Sequence, residues 1–535
     1  GQLAGTEPAR AAGARWGLPA AAGLGPASYY ADLATPHGSR HVRVCSAAAC
    51  FAADLGRHVT DVTRALGAGS GGTTVQPVRC LGYCYAAPAA LDGDTPCTGP
   101  SLVAQLTGDE EPRAPRIPAR DTTGDPVLLG GVLAGERPWR VWPGVVRSRS
   151  PEDVRAHVAA SGLRGRGGAG FPVAAKWAAA GGASGAVVVA NGDEVDPGSY
   201  ADRLLMEGDP DRVLEGLALA CFACRARRGV VLVRSEYPRA RDALREAVAR
   251  AYSQGHLGPS VHGSATDVDI EIVPGHGSYV AGEETALIAG LEGGRGTARP
   301  RPPYPARHGL WDAPTVVNNV ETLAAVPWIV RRGGDAYARR GVPGETGTKL
   351  VCLSERFARP GCYEVELGTP VARIVDEFGG GLRDGAELSV LQVGGPLGGF
   401  LAPRGLDVPL TGRDLAERGA ALGHAGLVAF DRRPDPLQVL RHVWEFADAE
   451  SCGACSPCRV GSRRGLELVD DAGAEPGHAS GHASGEVPGG APGEEYARLL
   501  RLLSEASLCA FGKRIPEAVR SLARAYGDRL AGWER

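Results

Sequence analysis

Methionine is nearly missing from this chain, and so are long apolar runs and any surplus of positive charge. No stretch of the 535 residues reaches the ~20 consecutive apolar positions that a helix needs to cross a bilayer, so no direct membrane span is expected. With 58 Lys and Arg against 61 Asp and Glu the formal net charge is −3, which gives no electrostatic footprint for nucleic acid. The opening segment, GQLAGTEPARAAGARWG, has neither the basic n-region nor the apolar core of a secretory signal, and no initiator Met. One Met beside 78 Gly and 40 Pro points to a GC-rich coding sequence, so motif spacing carries more weight than residue propensity. A disulfide framework is missing too. The 13 cysteines fall in short-spaced clusters, as metal or redox sites do in a reducing compartment, and a cytoplasmic location is expected.

Cys452, Cys455 and Cys458 stand in ESCGACSPCRVG, and Cys509 in SLCAFGKRIP. Three thiolates two residues apart wrap one face of a [4Fe–4S] cube, and a distant fourth closes it. Zinc sites more often use paired C-x2-C arms and are the alternative. A second set lies near the start, with Cys45 and Cys50 in VCSAAAC and Cys80 and Cys84 in RCLGYCYAAPA. Each pair follows a predicted strand, HVRVC or TVQPVRC. Two thiolate pairs on neighbouring strand-to-loop turns suit a [2Fe–2S] rhomb, with zinc again the alternative. Cys221 and Cys224, in ALACFACRA, read as helix core, and Cys97, Cys352 and Cys362 show no ligand spacing.

Residues 1–40 read as a helical or partly disordered arm and 41–106 as a small α/β domain, in which ADLGRHVTDVTRAL forms one amphipathic helix. The charged, Pro-rich residues 107–130 read as a linker. An α/β region over 131–342 has strands at GAVVVAN (185–191), GVVLVRSE (229–236) and DVDIEIVPG (267–275). Residues 343–434 form a small β-rich module with Gly-Gly turns. Residues 435–535 read as helices around the cysteine run, with a low-complexity, disordered insert at 472–493.

GLRGRGGAGFPVAAKW (162–177) satisfies G-x-G-x-x-G through Gly165, Gly167 and Gly170, with Gly168 between. The stretch before it, PEDVRAHVAASGLR, reads as helix rather than strand, so the Rossmann fingerprint fails. Its consecutive glycines still let backbone amides approach an anion, with Arg164, Arg166 and Lys176 adding charge. NGDEVDPGSYADR places Asn191, Asp193, Glu194 and Asp196 just after an apolar strand, where ligands of α/β sheets sit. GEETALIAGLEGGRG offers Gly282, Glu283 and Glu284 at a helix start, where acids also complement the dipole. TVVNNVETLA adds Asn318, Asn319 and Thr322, which can edge a cofactor ring.

Taken in order, GLRGRGGAGFP, NGDEVDPGSYADR, GSYVAGEETALIAGLEGGRG, PPYPARHGLWDAPTVVNNVETLA and ESCGACSPC resemble the flavin-bearing NADH-oxidising subunit of respiratory complex I. The diaphorase subunits of NAD-reducing hydrogenases and NAD-dependent formate dehydrogenases are close to it. Residues 41–106 resemble the thioredoxin-like [2Fe–2S] subunit of the same systems, fused here to the flavoprotein. The fusion favours the hydrogenase or formate dehydrogenase type.

The resemblance implies an α/β multidomain fold: a thioredoxin-like [2Fe–2S] domain, a Rossmann-like FMN-binding domain, a β-grasp module and a C-terminal helical bundle with the [4Fe–4S] cluster. It implies FMN held by Gly165, Arg166, Gly167, Gly168, Gly170, Lys176, Asn191, Asp193, Glu194, Gly282, Glu283, Glu284, Asn318, Asn319 and Thr322. It places NADH near Phe171, Asp196, Tyr279, Arg301 and Tyr304, and makes Glu194 and Glu284 the catalytic carboxylates. Asp196, Arg301 and Tyr304 stand where the family usually has Glu, Lys and Phe, and no aromatic follows Lys176-Trp177. The expected path runs from NADH through FMN and the [4Fe–4S] cluster to other iron–sulfur and catalytic subunits of a larger redox complex. The [2Fe–2S] site lies on the other side of the flavin as a side store or second outlet. The rivals are a peripheral-arm NADH-quinone oxidoreductase subunit, a non-catalytic electron relay and a zinc-bound scaffold. NADP in place of NAD, flavin-based bifurcation and the direction of transfer stay open.

Overall fold

The computed structural model describes residues 19–34, 37–67, 72–181, 185–473 and 493–534. The expected disorder of residues 1–18 and of most of the insert lies outside these. The two flanking helices do run into the insert's expected bounds, ending at Gly473 and resuming at Gly493.

The first sheet contains β1 (Arg40–Cys45), β2 (Thr73–Val78), β3 (Ala89–Asp92) and β4 (Thr95–Thr98), in the order β2-β1-β3-β4. The β1–β2 pair is parallel and sets Cys45 opposite Val78, so both thiol-bearing turns leave the sheet at one level. The single helix expected over ADLGRHVTDVTRAL is instead two, Ala48–Asp54 and Arg57–Ala65. Leu55 and Gly56 between them take φ of 64° and 78°. The Asp54 carboxylate accepts from the amides of Gly56 (3.0 Å) and His58 (2.9 Å), so it starts the second helix as it ends the first.

The expected linker is part of the fold. Residues Ala119–Asp121 form β5, which adds in parallel to the edge of a sheet more than 200 positions downstream. Beyond it, the amides of Val127, Leu128 and Leu129 converge at 2.8–3.1 Å on the buried Glu364 carboxylate. Pro-rich flanks are compatible with this position, because an edge strand needs donors on one side only.

The central sheet consists of β6 (Val187–Gly192), β7 (Arg228–Val233), β8 (Asp269–Pro274) and β9 (Thr315–Asn319), all parallel, in the order β8-β7-β6-β9. The chain winds from β6 to β8 on one side and returns to place β9 on the other. The switch point, where ligands of open parallel sheets bind, therefore lies between the carboxyl ends of β6 and β9. The hairpin β10 (Gly341–Val342) and β11 (Glu345–Thr346) leads to β12 (Thr348–Leu353), β13 (Gly361–Glu366), β14 (Val390–Val393), β15 (Phe400–Leu401) and β16 (Gly426–Phe430). With β5 these last five make a mixed six-stranded sheet, ordered β15-β14-β16-β12-β13-β5, with its own apolar core. Four helices, Pro436–Glu450, Ser456–Gly473, Gly493–Ala506 and Ala510–Tyr526, close the chain as a bundle packed around Trp444, Tyr496 and Trp533.

Residues 20–34 form two short helices lying on the central domain. The Tyr29 hydroxyl donates to the Gly296 carbonyl (2.6 Å), the Tyr30 hydroxyl to the Gly294 carbonyl (3.2 Å), and the Arg295 guanidinium to the Gly25 carbonyl (3.0 Å). No helix among the described residues is long and apolar enough to cross a membrane.

Candidate flavin and iron–sulfur sites

Cys45, Cys50, Cys80 and Cys84 converge, each at most 2% exposed and none in a disulfide. Cys80 and Cys84 Sγ atoms stand 3.5 Å apart, and the Gly82 amide donates to Cys80 Sγ at 3.3 Å. Hydrogen bonding to a neighbouring thiol, with burial, pushes Cys45 and Cys84 well above the ordinary thiol range and Cys80 to about 12. Four such thiols, buried without salt-bridge partners of their own, fit a metal centre that displaces their protons.

The second set gathers at two helix starts. Cys452 and Cys455 precede the helix Ser456–Gly473, Cys458 lies in its first turn, and Cys509 caps Ala510–Tyr526. The Leu508 amide points at Cys455 Sγ (3.5 Å), and the Ser451 hydroxyl lies 3.3 Å from Cys458 Sγ. Amides and positive helix ends facing sulfur favour the thiolate a cluster requires. Burial pushes Cys509 to about 11, against the amides of Phe511 and Gly512, which lower it. The site adjoins the central domain: the Tyr279 amide donates to the Glu450 carboxylate (2.8 Å), and the Tyr279 ring packs on Phe446 and Phe511.

The glycine loop lies at the switch point. The Gly165 amide donates to the Phe171 carbonyl (2.9 Å), folding the loop on itself, and Gly168 pairs with Gly423 in the turn before β16 of the six-stranded, third sheet. A Cβ on Gly167 would come within 2.8 Å of Asn319 Cβ, so backbone and Asn319 approach as only glycine permits. Asn319 also caps the helix Val320–Arg332 by accepting from the Thr322 amide (3.2 Å). Loop amides beside a helix N-terminus make a fitting cradle for a flavin phosphate.

Some expected ligands are otherwise engaged. The Arg166 guanidinium turns from the loop to Tyr337 Oη (2.9 Å) and the Thr346 carbonyl (2.6 Å), which corrects its placement as a phosphate cation. Its amide donates to Thr322 Oγ1 (2.8 Å), and Asn318 Oδ1 accepts from Trp177 Nε1 (2.8 Å). Glu194, expected as a catalytic carboxylate, is engaged by neighbouring amides and hydroxyls. Fully buried, it accepts from the amides of Asp202 (3.1 Å) and Arg203 (3.0 Å) and from the hydroxyls of Ser199 and Tyr237. It holds the start of the helix Ala201–Gly208.

The cleft face is lined differently. Asn191 Nδ2 donates to the Gly282 carbonyl (2.8 Å), and Glu283 caps the helix Glu284–Leu291. Lys176 Nζ bonds Glu284 (2.9 Å) and the Val317 carbonyl (3.0 Å), while Arg301 pairs with Glu284 (2.7 Å) and Glu283 (3.1 Å). The Tyr279 hydroxyl donates to Asp196. Phe171 and Tyr304 stand 52% and 60% exposed, and Lys176 Nζ lies 6.0 Å from the Phe171 ring centroid.

Burial pushes Asp193 up from about 3.8 to about 7, against the lowering pull of Arg234. Between those values only the folded state holds the proton, so stability falls as pH rises through this window and levels off above it. At about 1.4 kcal/mol per unit the loss is on the order of 4 kcal/mol. Thermal melts from pH 4 to 8 should show Asp193→Asn gaining on wild type towards neutral pH; parallel curves would refute the assignment.

Three residues stand outside the expected site set, Asp202 among them although it lies within NGDEVDPGSYADR. Arg234 donates to the Cys80 carbonyl (2.8 Å) and also to the Glu194 carbonyl, tying the first metal site to the flavin crevice. Asp202 accepts from Asn319 Nδ2 and from the Glu321 amide (3.0 Å), and His424, from the third sheet, sits beside Gly168. Asp202 and Arg234 look like ordinary surface charges in sequence, and His424 lies in AALGHAG, which carries no motif.

Residues 158–328 match the Nuo51 FMN-binding domain, 438–531 the NADH-ubiquinone oxidoreductase-F iron–sulfur binding region, and 7–99 the thioredoxin-like [2Fe–2S] ferredoxin. The NADP-reducing hydrogenase subunit HndC of Solidesulfovibrio fructosivorans is 38% identical over 72% of this chain and 76% of its own length. The F subunit of NADH-quinone oxidoreductase from Escherichia coli is 39% identical over 61% of this chain and 75% of its own. The crystal structure of an NAD+-reducing [NiFe]-hydrogenase in the H2-reduced state superposes with a TM-score of 0.85 at 29% identity, over 99% of this chain and 91% of that one. The chain thus belongs to the family of flavin- and iron–sulfur-bearing oxidoreductase subunits that includes HndC and the F subunit of NADH-quinone oxidoreductase.

Proposed function

We propose that the protein is the NAD(H)-linked diaphorase subunit of a multi-subunit, hydrogenase-type redox complex. One observation carries this: a single chain folds the [2Fe–2S] domain, the flavin crevice and the [4Fe–4S] bundle in the arrangement of the NAD+-reducing hydrogenase structure, over 99% of its length. The same core in a formate dehydrogenase or a respiratory arm would differ in what docks on it. FMN supplies the exchange between paired hydride electrons and the single electrons that iron–sulfur centres carry.

The protein's own part is binding and positioning. The amides of Gly167 and Gly168 and the start of the helix Val320–Arg332 would hold the phosphate. Asn191, Asp193 and the Gly282–Glu284 turn would edge the ring. Phe171 and Tyr304 offer stacking faces to the nicotinamide nucleotide. Glu284, held between Lys176 and Arg301, is fixed in orientation beside them and is the carboxylate closest in role to a catalytic group. Tyr279, bonded to Asp196 and packed against Phe446 and Phe511, makes the bridge of protein between crevice and bundle. Thirteen free thiols fit a reducing, cytoplasmic setting.

The test is anaerobic titration of the purified chain with NADH. Bleaching of the flavin band, followed by reduced iron–sulfur signals in electron paramagnetic resonance, supports the reading. Bound zinc without iron, or flavin that NADH leaves oxidised, overturns it. Tyr304→Ala should raise the KM for NADH about two- to tenfold, the worth of one aromatic stack, with a smaller change in kcat.

A further inference from the structure

His424, in the turn before β16, is set against both the glycine loop and the buried acids behind it. Ala425, which follows it, takes a φ of 56°, and this left-handed backbone turns the segment just before β16. Gly423 pairs with Gly168, and the imidazole Cδ2 lies 4.0 Å from where a Gly168 Cβ would stand. The ring's other edge faces Asp202, with Nδ1 at 4.0 Å from its Oδ2. Ligand atoms of His424, Asp202 and Glu194 all lie within 4.8 Å of one another. The imidazole is partly exposed, and among the described residues neither ring nitrogen makes a hydrogen bond.

A metal is not the natural occupant of this trio. Glu194 already accepts from two amides and two hydroxyls, and Asp202 from an amide and from Asn319. What the arrangement lacks is a partner for the imidazole on the loop side. That side is where the amides of Gly167 and Gly168 and the start of the helix Val320–Arg332 invite an anion. The same ring stands between that position and two buried acids. Asp202 and Glu194 present carboxyl oxygens to this corner, acceptors like the anion itself, so the imidazole is the group there that can donate to it.

We propose that His424 is a phosphate-binding residue of the flavin site, contributed by the third sheet and positioned by Asp202, donating from its Nε2 edge to the FMN phosphate. The proposal rests on the crevice being the flavin site. It makes closure of the third sheet onto the glycine loop a requirement for holding the phosphorylated cofactor.

The test separates phosphate from ring. Dissociation of FMN from the holoprotein is followed by recovery of flavin fluorescence, and binding of FMN and of riboflavin to the flavin-free chain is measured in parallel. His424→Ala should weaken FMN about ten- to hundredfold, the scale of a charge-assisted hydrogen bond, and change riboflavin about twofold or less. His424→Lys, which keeps a donor, should recover most of the difference. Thermal melts and iron content of each variant guard against misfolding. Equal FMN retention in His424→Ala and wild type would overturn the proposal, as would equal losses of FMN and riboflavin. A wild-type chain that binds FMN no better than riboflavin would instead overturn the placing of the phosphate in the glycine loop.

Discussion

A Gly167→Val variant is expected to purify with both iron–sulfur centres and without flavin. A Cβ at this position would stand 2.8 Å from Asn319 Cβ, a separation that real side chains do not adopt. Valine adds two further carbons, so either the loop or Asn319 must move. Asn319 caps the helix Val320–Arg332 and holds Asp202, so it is the harder to displace. The loop yields, its amides lose their common focus, and the phosphate cradle opens. Loss of NADH oxidation should therefore be nearly complete, while iron content and the cluster spectra after chemical reduction stay at wild-type levels. Flavin at normal occupancy in this variant would show that the cofactor lies elsewhere.

Lys349→Met is expected to produce the largest loss of stability. Lys349 and Glu321 are each about 1% exposed and are joined by a salt bridge between β12 and the helix behind β9. Lys349 also donates to the Leu350 carbonyl (3.1 Å), and Glu321 accepts from the Leu350 amide (3.0 Å). Removing the ammonium strands a carboxylate in the interior beside Asp202, at a cost of roughly 3–5 kcal/mol. In a chain of several domains this is best read as a fall in melting temperature, on the order of 10 °C. Lys349→Met with Glu321→Gln should recover much of it, because the stranded charge is what hurts. A single variant that melts with wild type would show that water already reaches the pair.

Both metal sites were legible because ligand geometry writes itself into spacing: thiols two to four residues apart have few other uses. The central strands were legible for a similar reason, since GAVVVAN and GVVLVRSE are buried on both faces and read as unbroken apolar runs. The crevice was legible only as a set of motifs. Asn191, Glu283 and Asn319 are held at the turns and helix starts around it, while Arg166 and Glu194 spend their charges inside the protein. Sequence shows that a charge is present and leaves open which way it points. The segment over 107–130 was misread because its Pro and charged residues match a solvated linker, and only a strand far downstream offers it an edge. The break at Leu55-Gly56 was hidden by helical periodicity on both sides of one glycine. His424 was invisible for the opposite reason: its neighbours are remote in the chain, and nothing local marks it.

The strand laid down by residues 119–121 has a consequence for how charge carriers meet. A domain hung on a loose tether would deliver its electrons by a diffusive search, at a rate governed by reach. Here the tether is woven into the body it connects, and the N-terminal domain is bonded to that body as well, with the Arg203 and Arg234 guanidinium groups donating to the Gly82 and Cys80 carbonyls (2.9 and 2.8 Å), so the distance between the N-terminal cysteine site and the flavin crevice does not fluctuate with chain motion. Transfer between them should be independent of solvent viscosity, and cutting the chain near residue 110 should leave the two halves joined.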